Sequence, residues 1–326
     1  QDADPLFVEV AVDYGVDDSE IIPEGSTGYG AAWGDYDNDS DMDLYLSNWG
    51  RNRLFRNDNE IFVNTAVELY VESDSLSNGA GWGDFNNDGF FDIWAANFKR
   101  EDDIFLNSGN DSPWNNDDRP IFASATQDVI PVDYNKDGWL DLFAPGLQMA
   151  HGHGPTEQEH KYTSILYKNN TIDSTNLNNN WVFITLEGAK TIIEDLGWTT
   201  KANRSAIGAR VYLHLSDKII LREIIAGKGH GSMDPLQLHF GLGDNININQ
   251  IEIHWPSMDV QTGQPKITIF NGPIGSNDWY RIVENIGFVG QKGDVNNDEV
   301  VNVLDVVSLV NEILYQFYNF EGANYW

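Results

Sequence analysis

An acidic nine-residue segment that occurs three times is the feature that most constrains this chain. The copies are DYDNDSDMD at residues 35–43, DFNNDGFFD at residues 84–92 and DYNKDGWLD at residues 133–141, and successive copies begin 49 residues apart. Each copy places carboxylate or amide oxygens at positions 1, 3, 5 and 9, with Gly or Ser at position 6. Hard oxygen donors at alternating positions of a sharply turning loop bind Ca²⁺, and glycine permits the turn. The sequence therefore predicts three calcium loops.

The candidate side-chain ligands follow from these positions. Ser40 replaces the glycine of the other loops, and asparagine replaces aspartate at position 3 of the second and third loops. We expect these changes to tune calcium affinity rather than abolish it. The ligands are Asp35, Asp37, Asp39 and Asp43 in the first loop, Asp84, Asn86, Asp88 and Asp92 in the second, and Asp133, Asn135, Asp137 and Asp141 in the third.

A larger repeat surrounds each loop and indicates β-structure. Each unit opens with an apolar pair, at residues 6–7, 61–62 and 121–122, and closes with a related tetrapeptide, at residues 54–57, 104–107 and 166–169. Short apolar runs follow the loops at residues 44–46, 93–95 and 142–144. Runs this short, bounded by Asn, Asp and Gly, favour strands. A period of about 50 residues is typical of propeller blades, which we place at residues 6–57, 61–107 and 121–170 of a first domain, residues 1–177.

These residues resemble the FG-GAP (VCBS-type) repeat, in which a DxDxDGxxD loop joins two strands of a propeller blade. The resemblance implies a fifth ligand in each loop, the backbone carbonyl at position 7. In this chain that carbonyl belongs to Asp41, Phe90 and Trp139.

A second resemblance covers residues 178–285, after the calcium loops. The segments NRSAIGARV at 203–211, HFGLG at 239–243 and IEIHWPS at 251–257 resemble the ASPIC/UnbV domain, which implies no settled chemistry. The alternation in residues 251–255 is typical of a half-buried antiparallel strand. We predict an antiparallel β domain with strands at residues 182–186, 210–215, 219–225, 236–240, 251–255 and 267–270.

The C-terminal module, residues 286–326, resembles one calcium repeat of a dockerin. Glu299 occupies the usual glycine position, and the second repeat of a dockerin is absent. An apolar helix is predicted at residues 303–320, and a helix that is apolar on nearly every face must be buried on several sides. The EF-hand-like order gives the candidate ligands Asp294, Asn296, Asp298, the Val300 carbonyl, Asn302 and Asp305.

Composition fits an exported calcium protein. With a net charge of −32, the acidic side chains would repel one another in a compact state. Binding of about four Ca²⁺ would relieve this repulsion where it is most concentrated. So acidic a chain is a poor partner for nucleic acid. Cysteine is absent, so disulfides cannot stabilise the fold and bound calcium is the available cross-link. Millimolar calcium is an extracellular condition. No signal peptide or membrane span is visible, and Gln1 fits a mature chain; we predict an extracellular location.

Several histidines and tryptophans could have a functional role, but a structural role explains them better. The histidines His151, His153 and His160 lie in an apparent insertion, and His230 and His239 lie in glycine-rich segments of the second domain. Trp33, Trp82 and Trp139 adjoin the loops, where packing is the better explanation than sugar stacking. No GxSxG, HExxH or Walker motif is present. We therefore predict no catalytic activity.

The number of repeats leaves the architecture open. Propellers typically close with four to eight blades, whereas three repeats are readable. Either the domain from residue 178 supplies a further blade, or the array stays open and its edges must be covered. This open architecture, together with a helix that must be buried on several sides, predicts self-association into rings, another oligomer or an open filament.

The sequence thus predicts a mostly β chain: propeller-like blades, an antiparallel β domain and a short calcium loop and helix. The function we favour is a secreted calcium-binding structural or adhesive protein, self-assembling at a cell surface or in extracellular matrix. One alternative is a calcium-dependent carbohydrate-binding propeller. The other is a non-catalytic component docked to an extracellular enzyme complex. The expected partners are a second copy of the chain, glycans, or a matrix or cell-surface protein.

Overall fold

The computed structural model describes most of the two predicted β domains. The described residues are 7–17, 28–98, 101–109, 113–115, 126–146, 164–170, 178–189, 200–228, 231–259 and 262–289. This part is nearly all β, as predicted, with one short helix, α1 (Ala11–Tyr14). The predicted C-terminal loop and helix, the apolar pair at 121–122 and four of the histidines, His151, His153, His160 and His230, lie outside the described residues.

Three antiparallel sheets carry the three predicted calcium loops. The first sheet contains β1 (Gly28–Gly34), β2 (Asp43–Asn48), β3 (Arg53–Asp58) and β4 (Ile61–Asn64); the second contains β5 (Ser77–Gly83), β6 (Asp92–Asn97) and β7 (Asp103–Phe105); the third contains β8 (Ile130–Val132), β9 (Asp141–Ala144) and β10 (Ile165–Tyr167). Strands β2, β6 and β9 confirm the apolar runs predicted after the loops.

Strand register closes each loop in the same way. Gly34 pairs with Asp43, Gly83 with Asp92, and Val132 with Asp141. In every case the residue before position 1 lies opposite position 9, so the acidic segment spans one strand-to-strand connection.

The sequence repeat and the first sheet are out of phase. Ile61 and Phe62, which open the second sequence unit, lie in β4 and pair with Asp58 and Asn57 of β3. The opening pair of one repeat therefore completes the sheet of the repeat before it.

The second domain contains two sheets, and each of the six predicted strands is present. The strands are β11 (Asn180–Glu187), β12 (Arg210–His214), β13 (Ile219–Glu223), β14 (Leu238–Gly243), β15 (Asn247–Met258), β16 (Pro265–Gly275), β17 (Asp278–Val283) and β18 (Gly287–Phe288). The strand orders are β14-β11-β17-β18 in one sheet and β13-β12-β15-β16 in the other. Most pairs are antiparallel, but β11 and β17 are parallel, with Phe183 opposite Trp279.

All five sheets surround one central cavity, a five-bladed propeller arrangement. Each sheet contributes to the lining: Trp33 from β1, Trp82 from β5, Pro131 from β8, Phe183 from β11 and Leu221 from β13. Of the two alternatives for three repeats, the structure supports the first. The domain from residue 178 supplies the sheets that the repeats lack.

Three apolar clusters hold this arrangement together. The largest fills the space between the two sheets of the second domain, around Phe240 and Ile251. A second joins the first two repeat sheets around Tyr45 and Trp82. The third joins the second and third repeat sheets to Phe183 of the second domain. Because buried apolar contact is the main source of stability, the third cluster ties the two domains into one folded unit.

Candidate metal centres

The first loop brings its acidic side chains together. Asp35, Asp37 and Asp39 each place a carboxylate oxygen within 4.8 Å of the others. The backbone N–H groups of Asp39 and Ser40 donate to the Asp35 carboxylate, at 3.2 and 3.1 Å. The chain thus wraps around the position-1 carboxylate, as the calcium-loop interpretation requires.

Position 6 explains the glycine of the motif. Gly89 and Gly138 have φ of 95° and 91°, in the left-handed region that glycine enters at no steric cost. Ser40 adopts a similar φ of 77° in the first loop. Serine therefore allows the same turn, but with the strain that a Cβ adds.

Position 9 is held by two backbone donors in every loop. Its carboxylate accepts from the N–H of position 2 and from the N–H of the asparagine that ends the closing tetrapeptide. A carboxylate has about four lone-pair sites, so these bonds orient it and leave capacity for a cation. The donors are Tyr36 and Asn57 to Asp43, Phe85 and Asn107 to Asp92, and Tyr134 and Asn169 to Asp141, at 2.7–3.3 Å.

Asparagine at position 3 takes the role of aspartate. The Oδ1 atoms of Asn86 and Asn135 accept the N–H of position 5 at 3.0 and 2.9 Å, and the Oδ1 of Asp37 does the same at 3.3 Å. The fold of the loop is therefore unchanged, and an amide oxygen remains a suitable Ca²⁺ donor. The substitution removes one charge from the site.

Position 7 is fixed through its own N–H. Asp41, Phe90 and Trp139 donate to the position-5 carboxylates at 2.8, 2.9 and 3.0 Å. The side chain of Asp41 accepts instead from the N–H of Asn59, at 3.3 Å. The backbone of position 7 is thus held in place, and its carbonyl is the ligand that the family resemblance implies.

Amide side chains link each loop to the next. Asn38, at position 4 of the first loop, donates to the carbonyl of Gly89 in the second at 3.1 Å. Asn87, at position 4 of the second loop, donates to the carbonyl of Gly138 in the third at 3.2 Å. The three loops therefore form a connected row.

The closing asparagines make a second set of links, in the opposite direction. Asn107 donates to the carbonyl of Tyr36 in the first loop, and Asn169 donates to the carbonyl of Phe85 in the second, both at 2.8 Å. Sequence reasoning did not identify these asparagines as functional residues. Their recurrence at the end of all three tetrapeptides was the signal that could have found them.

The electrostatics of the loops favour a bound cation. Burial raises the pKa of Asp35 to about 7, although nearby Arg222 opposes the rise. Burial also raises the pKa of Asp43 to about 8, and burial together with Asp88 raises that of Asp84 to about 7. Carboxylates so placed are costly to ionise without a counter-charge. A divalent cation would offset that cost, and the carboxylate, amide and carbonyl donors are those that Ca²⁺ prefers.

The three loops differ in their exposure to solvent. No position of the second loop is exposed, and Asp84, Asn87 and Asp92 are fully buried. Asp39 is exposed in the first loop. In the third loop positions 2 to 5 are all exposed: Tyr134, Asn135, Lys136 and Asp137.

Of the tryptophans beside the loops and His239, all but Trp33 have a structural role. Trp82 and Trp139 are buried, as the packing interpretation predicts, whereas Trp33 is 45% exposed. His239 is buried against Phe183, with ring centroids 4.7 Å apart. Burial, aided by the charge of Arg222, lowers the pKa of His239 to about 3, so this imidazole is neutral at physiological pH. Neutrality and burial fit the structural role predicted for it.

Comparison with known families supports two of the three resemblances. A model of the FG-GAP-like repeat matches residues 35–95 and 84–144, which include all three loops. A model described as ASPIC and UnbV matches residues 199–266. Neither match extends to the dockerin-like segment, and no curated protein matches the chain. The chain therefore contains FG-GAP-like repeats followed by an ASPIC and UnbV domain.

Proposed function

We propose that this protein is a calcium-binding, non-catalytic structural or adhesive component of a cell surface or extracellular matrix. The observation that carries the proposal is the convergence of Asp35, Asp37 and Asp39 in a loop whose hydrogen bonding recurs in two further loops. FG-GAP repeats are typical of extracellular or surface proteins. Among the described residues, no helix has the length and apolar character needed to cross a membrane.

Calcium is proposed to act mainly on the fold. The loops gather buried carboxylates in a chain of net charge −32, so the metal-free state carries strong local repulsion. Because binding free energy at a site that forms only on folding is folding free energy, calcium should raise the stability of the whole propeller.

Calorimetric titration of the chelator-treated protein tests calcium binding. We expect calcium to bind within the extracellular range, at or below about 1 mM, and to raise the melting temperature. Asp35→Asn, Asp84→Asn and Asp133→Asn should each weaken one site. Asp13→Asn removes the same charge from an exposed residue outside the loops and should leave binding unchanged. The proposal would be contradicted if several millimolar calcium gave no heat of binding and no rise in the melting temperature.

We also propose that copies of the chain associate. Two edge strands carry exposed apolar side chains: Ile61 and Val63 on β4, and Ile267 and Ile269 on β16. Edges of this kind can pair with another strand unless they are protected. Sedimentation velocity from excess chelator to about 5 mM calcium should show a larger species with calcium. The predicted apolar helix at residues 303–320 must also be buried on several sides, so we expect it to take part in the contact. Deletion of residues 291–326 should then leave a soluble monomer, and normal assembly of that form would contradict a role for this segment.

Carbohydrate binding is a second candidate function, which the exposure of Trp33 favours. This indole lines the central cavity and lies two residues before the first calcium loop. Exposed aromatic faces beside polar groups suit sugar rings. A glycan array in calcium buffer, with Trp33→Ala as the paired sample, tests the idea. A blank array would remove it and leave the structural proposal standing.

A further inference from the structure

The second calcium loop lies directly beneath the second domain. Lys218 Nζ donates to the carbonyl of Asp88 at 2.6 Å and lies 4.3 Å from the centroid of the Phe90 ring. The N–H of Gly243 donates to the carbonyl of Asn87 at 2.8 Å. Positions 4, 5 and 7 of the loop are therefore held by residues more than 120 positions away in the sequence.

Gly241 brings the backbone of β14 against the position-1 ligand. A Cβ at this residue would lie 2.1 Å from Oδ2 of Asp84 and 2.5 Å from Cα of Asn87. Contacts that short do not occur, so no other residue fits here without displacing the strand. The glycine of the HFGLG segment is thus explained by close approach to the loop.

Asn179, just before β11, adds a third contact. Its Nδ2 donates to the carbonyl of Asn86 at 2.9 Å. With Lys218 and β14, it surrounds the loop from the side of the second domain. Together with the neighbouring first and third loops, these contacts leave no position of the second loop exposed, against one in the first loop and four in the third.

We propose that the ASPIC and UnbV domain acts as a cover that traps the cation of the second loop, while the first and third loops exchange theirs readily with solvent. This inference rests on calcium binding, proposed above. Lys218 contacts a carbonyl and an aromatic ring, so it restrains the loop without taking up a ligand carboxylate. Release from the second loop then requires the second domain to separate from it, a local opening with its own free-energy cost.

Release kinetics test the cover. The calcium-loaded full chain is mixed in a stopped-flow instrument with excess fluorescent calcium chelator. We expect fast phases and one slow phase. Lys218→Met keeps the apolar stem but removes a charged donor, and should accelerate the slow phase about tenfold or more. Lys201→Met makes the same change at an exposed residue of the second domain outside the loops and should leave the slow phase unaltered.

Ligand variants assign the phases. Asp88→Ala should remove the slow phase, and Asp137→Ala should remove a fast one, because alanine offers no oxygen ligand. If the wild-type protein releases all its calcium in fast phases, or if Lys218→Met leaves the slow phase unchanged, the cover is overturned while calcium binding stands. If the protein binds no calcium, both proposals are overturned.

Discussion

At the scale of single residues, Glu284 shows how one carboxylate can hold separate segments together. It is buried and accepts the N–H groups of Ala189 and Ala202, at 3.0 and 2.5 Å, and the hydroxyl of Ser257 at 2.7 Å. Burial alone would raise the pKa of Glu284, but these hydrogen bonds outweigh burial and lower it. The ionised form is therefore the one that stabilises the fold.

Glu284→Gln should lower the free energy of unfolding at pH 7 by about 2 kcal/mol, because the bonds to a charged acceptor are lost. The folded pKa lies below the unfolded value, so this contribution is fully present above the unfolded pKa and fades as the pH falls through the folded pKa. Urea unfolding at pH 7 and near pH 3 checks the prediction. A difference between wild type and variant that does not shrink in acid would contradict it.

A second residue-scale prediction concerns position 6. Ser40 has φ of 77° where the other loops have glycine. Ser40→Gly should stabilise the calcium-loaded protein by about 1 kcal/mol, the typical cost of a left-handed residue with a Cβ. The reciprocal change, Gly89→Ser, should destabilise by at least as much. Thermal unfolding at saturating calcium measures both, and a loss of stability in Ser40→Gly would show that the serine has a role beyond the turn.

At the scale of elements, two of the three asparagines that end the tetrapeptides, Asn107 and Asn169, each tie their own loop to the loop before it. Asn169 donates to Leu140 of its own loop at 2.9 Å and to Phe85 of the second loop at 2.8 Å. Asn57 donates to Met42 of its own loop at 3.1 Å. Asn169→Asp should therefore weaken calcium binding at two sites, and Asn57→Asp at one. Calorimetric titration counts the weakened sites in each variant. If both variants weaken only one site, the loops are not coupled through Asn169.

Elements encoded by local pattern were predictable, and elements defined by distant partners were not. The loops and the strands β2, β6 and β9 follow from spacing and from short apolar runs. Strand β17 was missed because its stability comes from parallel pairing with β11, nearly a hundred residues earlier. The contact of Lys218 with the second loop was missed for the same reason, since no repeat or spacing marks it.

At the scale of the whole molecule, closure of the propeller depends on a core that both domains share. Phe183 of β11 stacks on Trp279 with ring centroids 4.1 Å apart, and it packs in one cluster with Phe85, Trp94 and Leu142 of the repeats. Each repeat sheet alone is too small to bury its apolar face. The five sheets should therefore unfold as one cooperative unit rather than as separate domains.

Phe183→Ala tests this cooperativity, because it opens a cavity where the domains meet. We expect it to lower the free energy of unfolding by about 3–5 kcal/mol and to split a single calorimetric transition into two. Phe270→Ala, at a residue that is partly buried against the core of the second domain, should destabilise without splitting the transition. Two transitions already present in the wild-type protein would mean that the domains fold independently, and the second domain would then add to the ring without being needed for its stability.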